Sequence, residues 1–282
     1  MILVFGQTGQ LAHELARHDG VTCLGRAQAD LSDPAACAET IQRLRPDAVI
    51  NAAAYTAVDK AEEEEALAHV INAEAPAAMA GACAALGIPF VTLSTDYVFD
   101  GSGNTAWRPD DCPAPLNAYG RSKLAGETAV VAAGGTYAVL RTSWVVSAHG
   151  HNFIKTMLRL GATRERLTIV ADQIGAPTPA RDIANTCLEM TRQLAEDPAK
   201  VGIYHYGGTP ETSWAGFAEA IFSRAGIACE VAGIPTSDYP TPAQRPLNSR
   251  LDCTTLETVF GISPPDWQIG LDAILKDLGE SA

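Results

Sequence analysis

Tyr119 and Lys123 stand four residues apart in Tyr119-Gly-Arg-Ser-Lys123, which puts both on one face of a helix. A phenol with an ordinary pKa of about 10 is a weak acid-base catalyst near neutrality. A neighbouring ammonium stabilises the phenolate and makes proton transfer from the phenol practicable. About two dozen residues earlier an apolar run ends in Ser94-Thr95-Asp96-Tyr97, where the Thr95 hydroxyl could help to polarise a carbonyl oxygen. The chemistry this set suits is protonation of the alkoxide that forms when hydride reaches a ketone. Taken alone, the Tyr/Lys spacing is also met in ordinary surface pairs, so its weight depends on the elements around it.

The apolar run Ile2–Phe5 turns at once through Gly6-Gln7-Thr8-Gly9-Gln10-Leu11-Ala12 into an amphipathic stretch. Gly6 and Gly9 permit a tight turn and close backbone approach, and the following helix start offers unpaired N–H groups to a pyrophosphate. At the first strand of an alternating chain, this pattern points to a nicotinamide dinucleotide site. An acid that accepts from a ribose 2′-hydroxyl is expected to end the second strand, but the chain reads Cys23-Leu24-Gly25-Arg26. Arg26 can pair with a 2′-phosphate and tilts the choice between NADPH and NADH toward NADPH. Asp30-Leu31 is positioned for an adenine edge, and the small residues of Asn51-Ala-Ala-Ala-Tyr55-Thr56 would let a cofactor pass.

The elements needed to position these groups are legible. Ile2–Phe5, Val21–Leu24, Ala48–Asn51, Pro89–Ser94 and Tyr137–Arg141 read as strands buried on both faces. Gln10–His18, Pro34–Leu44, Ala61–Leu86 and Tyr119–Ala133 read as helices. Their alternation predicts an α/β fold, a doubly wound Rossmann-type parallel sheet with a smaller C-terminal α/β substrate domain. Residues 1–145 are expected to bind the cofactor, rejoined by about 179–208, where Pro179–Gln193 reads as a helix and Gly202–Tyr206 as a strand. Residues 146–282 are expected to be mainly substrate-binding and interleaved with the first part. The run Glu62–Glu65 reads as a solvated first helical turn.

A formal net charge of −13 leaves no basic surface for a nucleic-acid polymer. The seven cysteines are scattered and never spaced as CxxC, which fits neither a disulfide framework nor a zinc site and suits a reducing compartment. No apolar run approaches 18 residues and no secretion signal is apparent, so a cytoplasmic protein away from membranes is expected.

Eight ordered segments give the chain a more specific resemblance: Phe5–Leu11, Asn51–Glu62, Ser94–Gly101, Pro115–Glu127, Arg141–Val145, Asn152–Leu160, Asp172–Thr178 and Tyr239–Asp252. Over nearly its whole length it resembles the extended short-chain dehydrogenases and, among them, the dTDP-4-dehydrorhamnose reductases. That resemblance implies reduction of the C4 ketone of dTDP-4-dehydro-β-L-rhamnose to dTDP-β-L-rhamnose. It implies Tyr119 as proton donor, Thr95 as its tuning partner and Lys123 as partner of both phenol and ribose. Gly9, Gln10 and Leu11, Asp30 and Leu31, and Ala54, Tyr55 and Thr56 match cofactor-binding segments, while Thr95, Asp96 and Trp144 match substrate contacts. Arg245 and Arg250 are candidates for the substrate diphosphate or for holding a lid, and equally for structural ion pairs.

Some members of that family form dimers bridged by magnesium through carboxylates. Glu14 matches one ligand, but the second acidic position is Arg181 beside Asp182. No metal is therefore expected, and a homodimer is left open. Nucleotide-sugar epimerases and dehydratases on the same fold are the nearest alternatives, although Tyr97 stands where the dehydratase pattern has a glutamate. A non-catalytic cofactor-binding regulatory subunit is the alternative from another class, against which the complete Thr95, Tyr119, Lys123 set argues.

Overall fold

A computed structural model describes residues 1–280. Six parallel strands form the central sheet: β1 (Ile2–Phe5), β2 (Val21–Leu24), β3 (Ala48–Asn51), β4 (Phe90–Thr95), β5 (Tyr137–Thr142) and a strand at Gly202–His205. Their spatial order is Gly202–His205, β5, β4, β3, β1, β2. Strand order reverses beside β1, which opens a crevice above the C-terminal ends of β1 and β3.

Successive strand side chains point to opposite faces, and both faces are covered. Leu3, Phe5, Val49 and Phe90 pack under α2 (Pro34–Leu44), α3 (Ala75–Leu86) and α4 (Ala118–Ala133). Val4, Ile50, Val91 and Leu140 pack under α1 (Gln10–Leu15) and a long helix at Ala180–Glu196. A third core joins the helices Phe153–Gly161, Trp214–Arg224 and Trp267–Leu278 through Ile154, Phe217, Ile221, Trp267 and Leu271. A parallel strand pair, Arg166–Val170 with Glu230–Ile234, completes this C-terminal part.

Two sequence expectations change. Residues 61–86 are not one helix: they divide into Glu65–His69, a π turn at Val70–Glu74 and α3, with a separate short helix at Val58–Ala61. Pro76 lies at the start of α3 and has no N–H to donate to residue 72, so the preceding turn widens. That widening seats Asn72, which accepts from the Tyr55 N–H at 2.8 Å and donates to the Tyr55 carbonyl and to Ser122 Oγ, both at 3.0 Å. The run Glu62–Glu65 is not a solvated first turn either. Glu62 accepts from the Ala118 N–H, Glu64 from the Tyr55 hydroxyl and Glu65 from Arg121, so three of its four carboxylates brace neighbouring segments. Among the described residues no helix is long and apolar enough to cross a membrane.

Candidate active site

A cavity of about 1000 Å³ runs along the C-terminal edge of the sheet. At its β1 end Gly6 adopts φ +123°, and a Cβ there would lie 3.3 Å from the Ala52 main-chain carbon. Gly9 caps α1 without any side-chain hydrogen bond and has open space beside it, so the helix start presents free N–H groups to a ligand. Gln10 opens α1 and ties it to the C-terminal part, donating to the Val145 carbonyl at 3.2 Å and accepting from Ser147 and Asn152 at 3.0 Å each. Leu11, Leu31, Ala54 and Thr56 contribute to the same wall. Past the end of β2, the exposed Arg26 guanidinium sits 3.3 Å from Asp30. Hydrogen bonds from Ser32 hold the Asp30 carboxyl below the usual carboxylate range. These residues suit a dinucleotide: a small-residue cradle fit for a pyrophosphate, an exposed guanidinium past β2 and a tyrosine wall at Tyr55.

The reactive groups converge where β4 meets α4. Asn117 caps α4 by accepting from the Gly120 N–H at 2.8 Å, the expected use of an asparagine before a helix. Gly120 is required because a Cβ would come within 2.2 Å of the Tyr97 carbonyl oxygen. This contact locks α4 against the turn that follows β4. Tyr119 is thereby held edge-on to Tyr97, with ring centroids 5.5 Å apart. Burial pushes the Tyr119 phenol up to about 12, tempered by a hydrogen bond from Thr95. The phenol is thus protonated at neutral pH, as a proton donor must be.

Thr95 Oγ1 lies 3.1 Å from Asp96 Oδ1, so its single proton has two acceptors in reach. Asp96 is 2% exposed, its Oδ2 has no hydrogen-bond partner among the described residues, and burial pushes its carboxyl up to about 6 against hydrogen bonds from Ser249 and Thr95. Lys123 is buried and donates to the Leu93 carbonyl at 2.7 Å. Burial lowers it to about 8, opposed by the charge of Glu127. An ammonium with one protein acceptor keeps donors for further oxygen atoms in the cavity.

Trp144 stands on the opposite wall with φ +48°, an uncommon conformation for a bulky residue. Its indole stacks on Trp214 with centroids 3.7 Å apart, and Phe153 backs Trp214 at 4.7 Å. Both indoles line the cavity and give it an apolar aromatic wall of the kind a sugar or nucleobase packs against.

The cofactor-binding, catalytic and substrate-contact residues expected from sequence line this cavity, except the two diphosphate candidates Arg245 and Arg250. Arg245 instead forks onto Asp59 at 2.9 and 2.8 Å, and Arg250 pairs with Glu211, so both arginines hold protein carboxylates. Glu14 is met by Arg181 at 3.5 Å, and Arg181 also holds Asp277 at 2.8 Å. Among the described residues no three His, Cys, Asp or Glu side chains are grouped to bind a metal ion.

Sequence reasoning missed Trp214, Ser249 and two orphaned hydroxyls, Ser94 Oγ and Thr142 Oγ1, which are buried without partners at the ends of β4 and β5. The hydroxyls carried a readable signal, since both end strands of a parallel sheet. Trp214 and Ser249 reach the site through tertiary packing and carry no local signal.

The chain matches the model of the RmlD substrate binding domain over residues 1–280. It is 45% identical to a dTDP-4-dehydrorhamnose reductase of Burkholderia thailandensis, with 98% of each chain covered. Its fold matches the crystal structure of a dTDP-4-dehydrorhamnose reductase from Clostridium acetobutylicum, at a TM-score of 0.92, 36% identity and 99% of each chain. It also matches the Bacillus anthracis dTDP-4-dehydrorhamnose reductase in complex with NADP, at a TM-score of 0.90, 35% identity and 98% of each chain. With the glycine cradle, the Thr95, Tyr119, Lys123 set and this full-length similarity in place, the chain belongs to the dTDP-4-dehydrorhamnose reductase family.

Proposed function

We propose that the protein reduces the C4 ketone of dTDP-4-dehydro-β-L-rhamnose to dTDP-β-L-rhamnose, using NADPH or NADH. The observation that carries this reading is the meeting of Thr95, Asp96, Tyr119 and Lys123 in one cavity with the Gly6–Leu11 turn. Residues 1–145, rejoined by about 179–208, serve the cofactor, and 146–282 mainly cover the sugar nucleotide. A cytoplasmic setting suits seven cysteines of which none is paired among the described residues.

The Gly6 and Gly9 turn would hold the pyrophosphate, Arg26 and Asp30 the adenosine end, and Tyr55 and Lys123 the ribose and nicotinamide side. When bound, the nicotinamide supplies hydride. Tyr119 delivers the proton to the oxygen that was the C4 carbonyl, and Thr95 steadies both that oxygen and the phenolate left on Tyr119. Lys123 brings positive charge to the place where negative charge develops. Asp96 Oδ2 accepts from a sugar hydroxyl and orients the ring, while Trp144 and Trp214 exclude water from one face.

The test is oxidation of NADPH and of NADH by the protein with dTDP-4-dehydrorhamnose generated in situ, with and without EDTA. One cofactor oxidised per sugar reduced supports the reading. Turnover that leaves the reduced cofactor level unchanged would instead identify an epimerase or dehydratase.

A further inference from the structure

The segment from Pro235 to Leu247 leaves the C-terminal part and crosses to the first half of the chain, where two side chains hold it. Arg245 places Nη1 and Nη2 on the two Asp59 oxygens at 2.9 and 2.8 Å, and the Ala243 N–H donates to Asp59 Oδ1 at 3.2 Å. The Gln244 carbonyl accepts from Asn117 Nδ2 at 2.8 Å, and the Oδ1 of that same Asn117 caps α4 two residues before Tyr119. On the other side of Asp59 the chain runs into Glu62 and Glu65. Glu62 takes the Ala118 N–H at 2.7 Å, and Glu65 takes Arg121 at 2.8 Å. The arm and the Asp59 turn therefore close on the residues flanking Tyr119 in sequence. Among the described residues their only ionic link to each other is the Asp59–Arg245 pair, which is half-buried and does not itself line the cavity. Arg245 is ruled in as a structural partner by its bidentate geometry, a fixed fork matched to one carboxylate.

We propose that Asp59 and Arg245 are positioning residues acting as one unit, seating the Pro235–Leu247 arm on the cap of α4 and so fixing the aim of the Tyr119 phenol, without gripping the substrate diphosphate. The assignment rests on the reductase reading for its kinetic consequences. A misaimed donor lowers turnover while leaving ligand affinity in place, because proton delivery is sensitive to small displacements.

The test is a double-mutant cycle of Asp59→Ala, Arg245→Ala and the double variant, with Asp59→Asn as the conservative control that still accepts from Ala243. Each single change is expected to lower kcat by ~10-fold, the double to be no worse than either single, and Asp59→Asn to retain more turnover than Asp59→Ala. Affinities for dTDP and NADPH, measured by titration calorimetry, are expected to stay within about two-fold of wild type. Hydrogen exchange of the amides at 118–121 is expected to speed up equally in both singles, with no further increase in the double variant. Loss of dTDP affinity in Arg245→Ala but not in Asp59→Ala, or additive losses in the double, would overturn the proposal in favour of a direct diphosphate contact. Unchanged amide exchange would overturn it as well. A wild-type protein that fails to oxidise NADPH with the keto sugar defeats the reductase reading, whereas the exchange and titration data still judge the pair.

Discussion

The Thr95 hydroxyl lies 3.1 Å from one oxygen of Asp96, whose other oxygen is buried without a partner. A carboxylate left in that state is costly to bury, and in the proposed mechanism a sugar hydroxyl would satisfy it. The Asp96 carboxyl titrates at about 6 in the fold against an ordinary 3.8. Between those values the folded state holds the proton more tightly than the unfolded chain, so the contribution to stability is complete below 3.8 and is lost as pH rises through 6. Asp96→Asn is therefore expected to stabilise the protein at pH 8 by up to roughly 3 kcal/mol, a gain that disappears below about pH 4. The same change is expected to lower kcat/KM for the keto sugar and to remove its decline below pH 6. Thermal unfolding and kcat/KM across pH 4–9 check both halves.

Tyr119→Phe removes the proposed proton donor and keeps the ring that packs on Tyr97. Turnover is expected to fall by roughly 10²–10⁴-fold, with NADPH affinity and melting temperature close to wild type. Near wild-type kcat in this variant would show that the proton comes from elsewhere.

Lys123 is held at about 8 by burial, below the ordinary 10.5. The unfolded chain holds this proton more tightly, so burial of the ammonium costs most below pH 8, and that cost fades as pH rises from 8 to 10.5. In the proposed mechanism it is the charged form that brings positive charge to the developing phenolate. The kcat/KM of the wild type is expected to decline above pH 8. Lys123→Met is expected to lose this basic limb together with most activity, and to melt higher than wild type at pH 7. A basic limb that persists in Lys123→Met would assign it to another group.

How much of this was legible depended on whether a residue's neighbours in space were also its neighbours in sequence. Strands β1, β2 and β3 and the Gly6–Leu11 turn are local features, set by apolar runs, glycine and helix periodicity, and they stand where the pattern put them. Tyr119 and Lys123 were readable because one helical turn joins them. Glu62–Glu65 misled because a charge run usually faces water, whereas here its partners lie up to 56 residues away at Ala118 and Arg121. Trp214 meets Trp144 only after the C-terminal helices fold back, and no local pattern announces such a contact. Arg245 was expected to contact the substrate, but it forks onto Asp59, a partner 186 residues earlier that no local pattern announces.

Arg141 and Glu127 form a bidentate pair at 2.9 and 2.7 Å with both side chains almost completely buried. Arg141 also donates to the Pro109 carbonyl and meets His205 Nε2 at 3.3 Å. Burial and the Arg141 charge depress His205 to about 3, so it stays neutral, accepting through Nε2 and donating through Nδ1 to the Trp107 carbonyl. The network pins the Trp107–Pro109 segment onto β5 and the neighbouring strand Gly202–His205. Glu127→Ala is expected to destabilise by about 3–5 kcal/mol, since it strands a buried guanidinium. Replacing both partners by apolar residues of similar volume is expected to cost far less. Denaturant unfolding of the single and double variants separates a stranded charge from lost packing.

Arg26 lines the cavity past the end of β2, where the proposed reading puts the adenosine ribose, and its partner is Asp30 at 3.3 Å on an exposed surface. An exposed pair of this kind contributes little on its own, so a 2′-phosphate can displace the carboxylate at small cost. NADH carries no group to make that exchange. Arg26→Ala is thus expected to weaken NADPH binding by ~10-fold and to leave NADH binding nearly unchanged. Asp30→Asn acts in the opposite sense, because it frees Arg26 and removes a negative charge that repels the phosphate. It is expected to raise the preference for NADPH. Both effects are expected to shrink with added salt as the Debye length shortens. Direct titration of each cofactor at low and high ionic strength decides the matter, and equal losses for NADPH and NADH in Arg26→Ala would remove Arg26 from 2′-phosphate recognition.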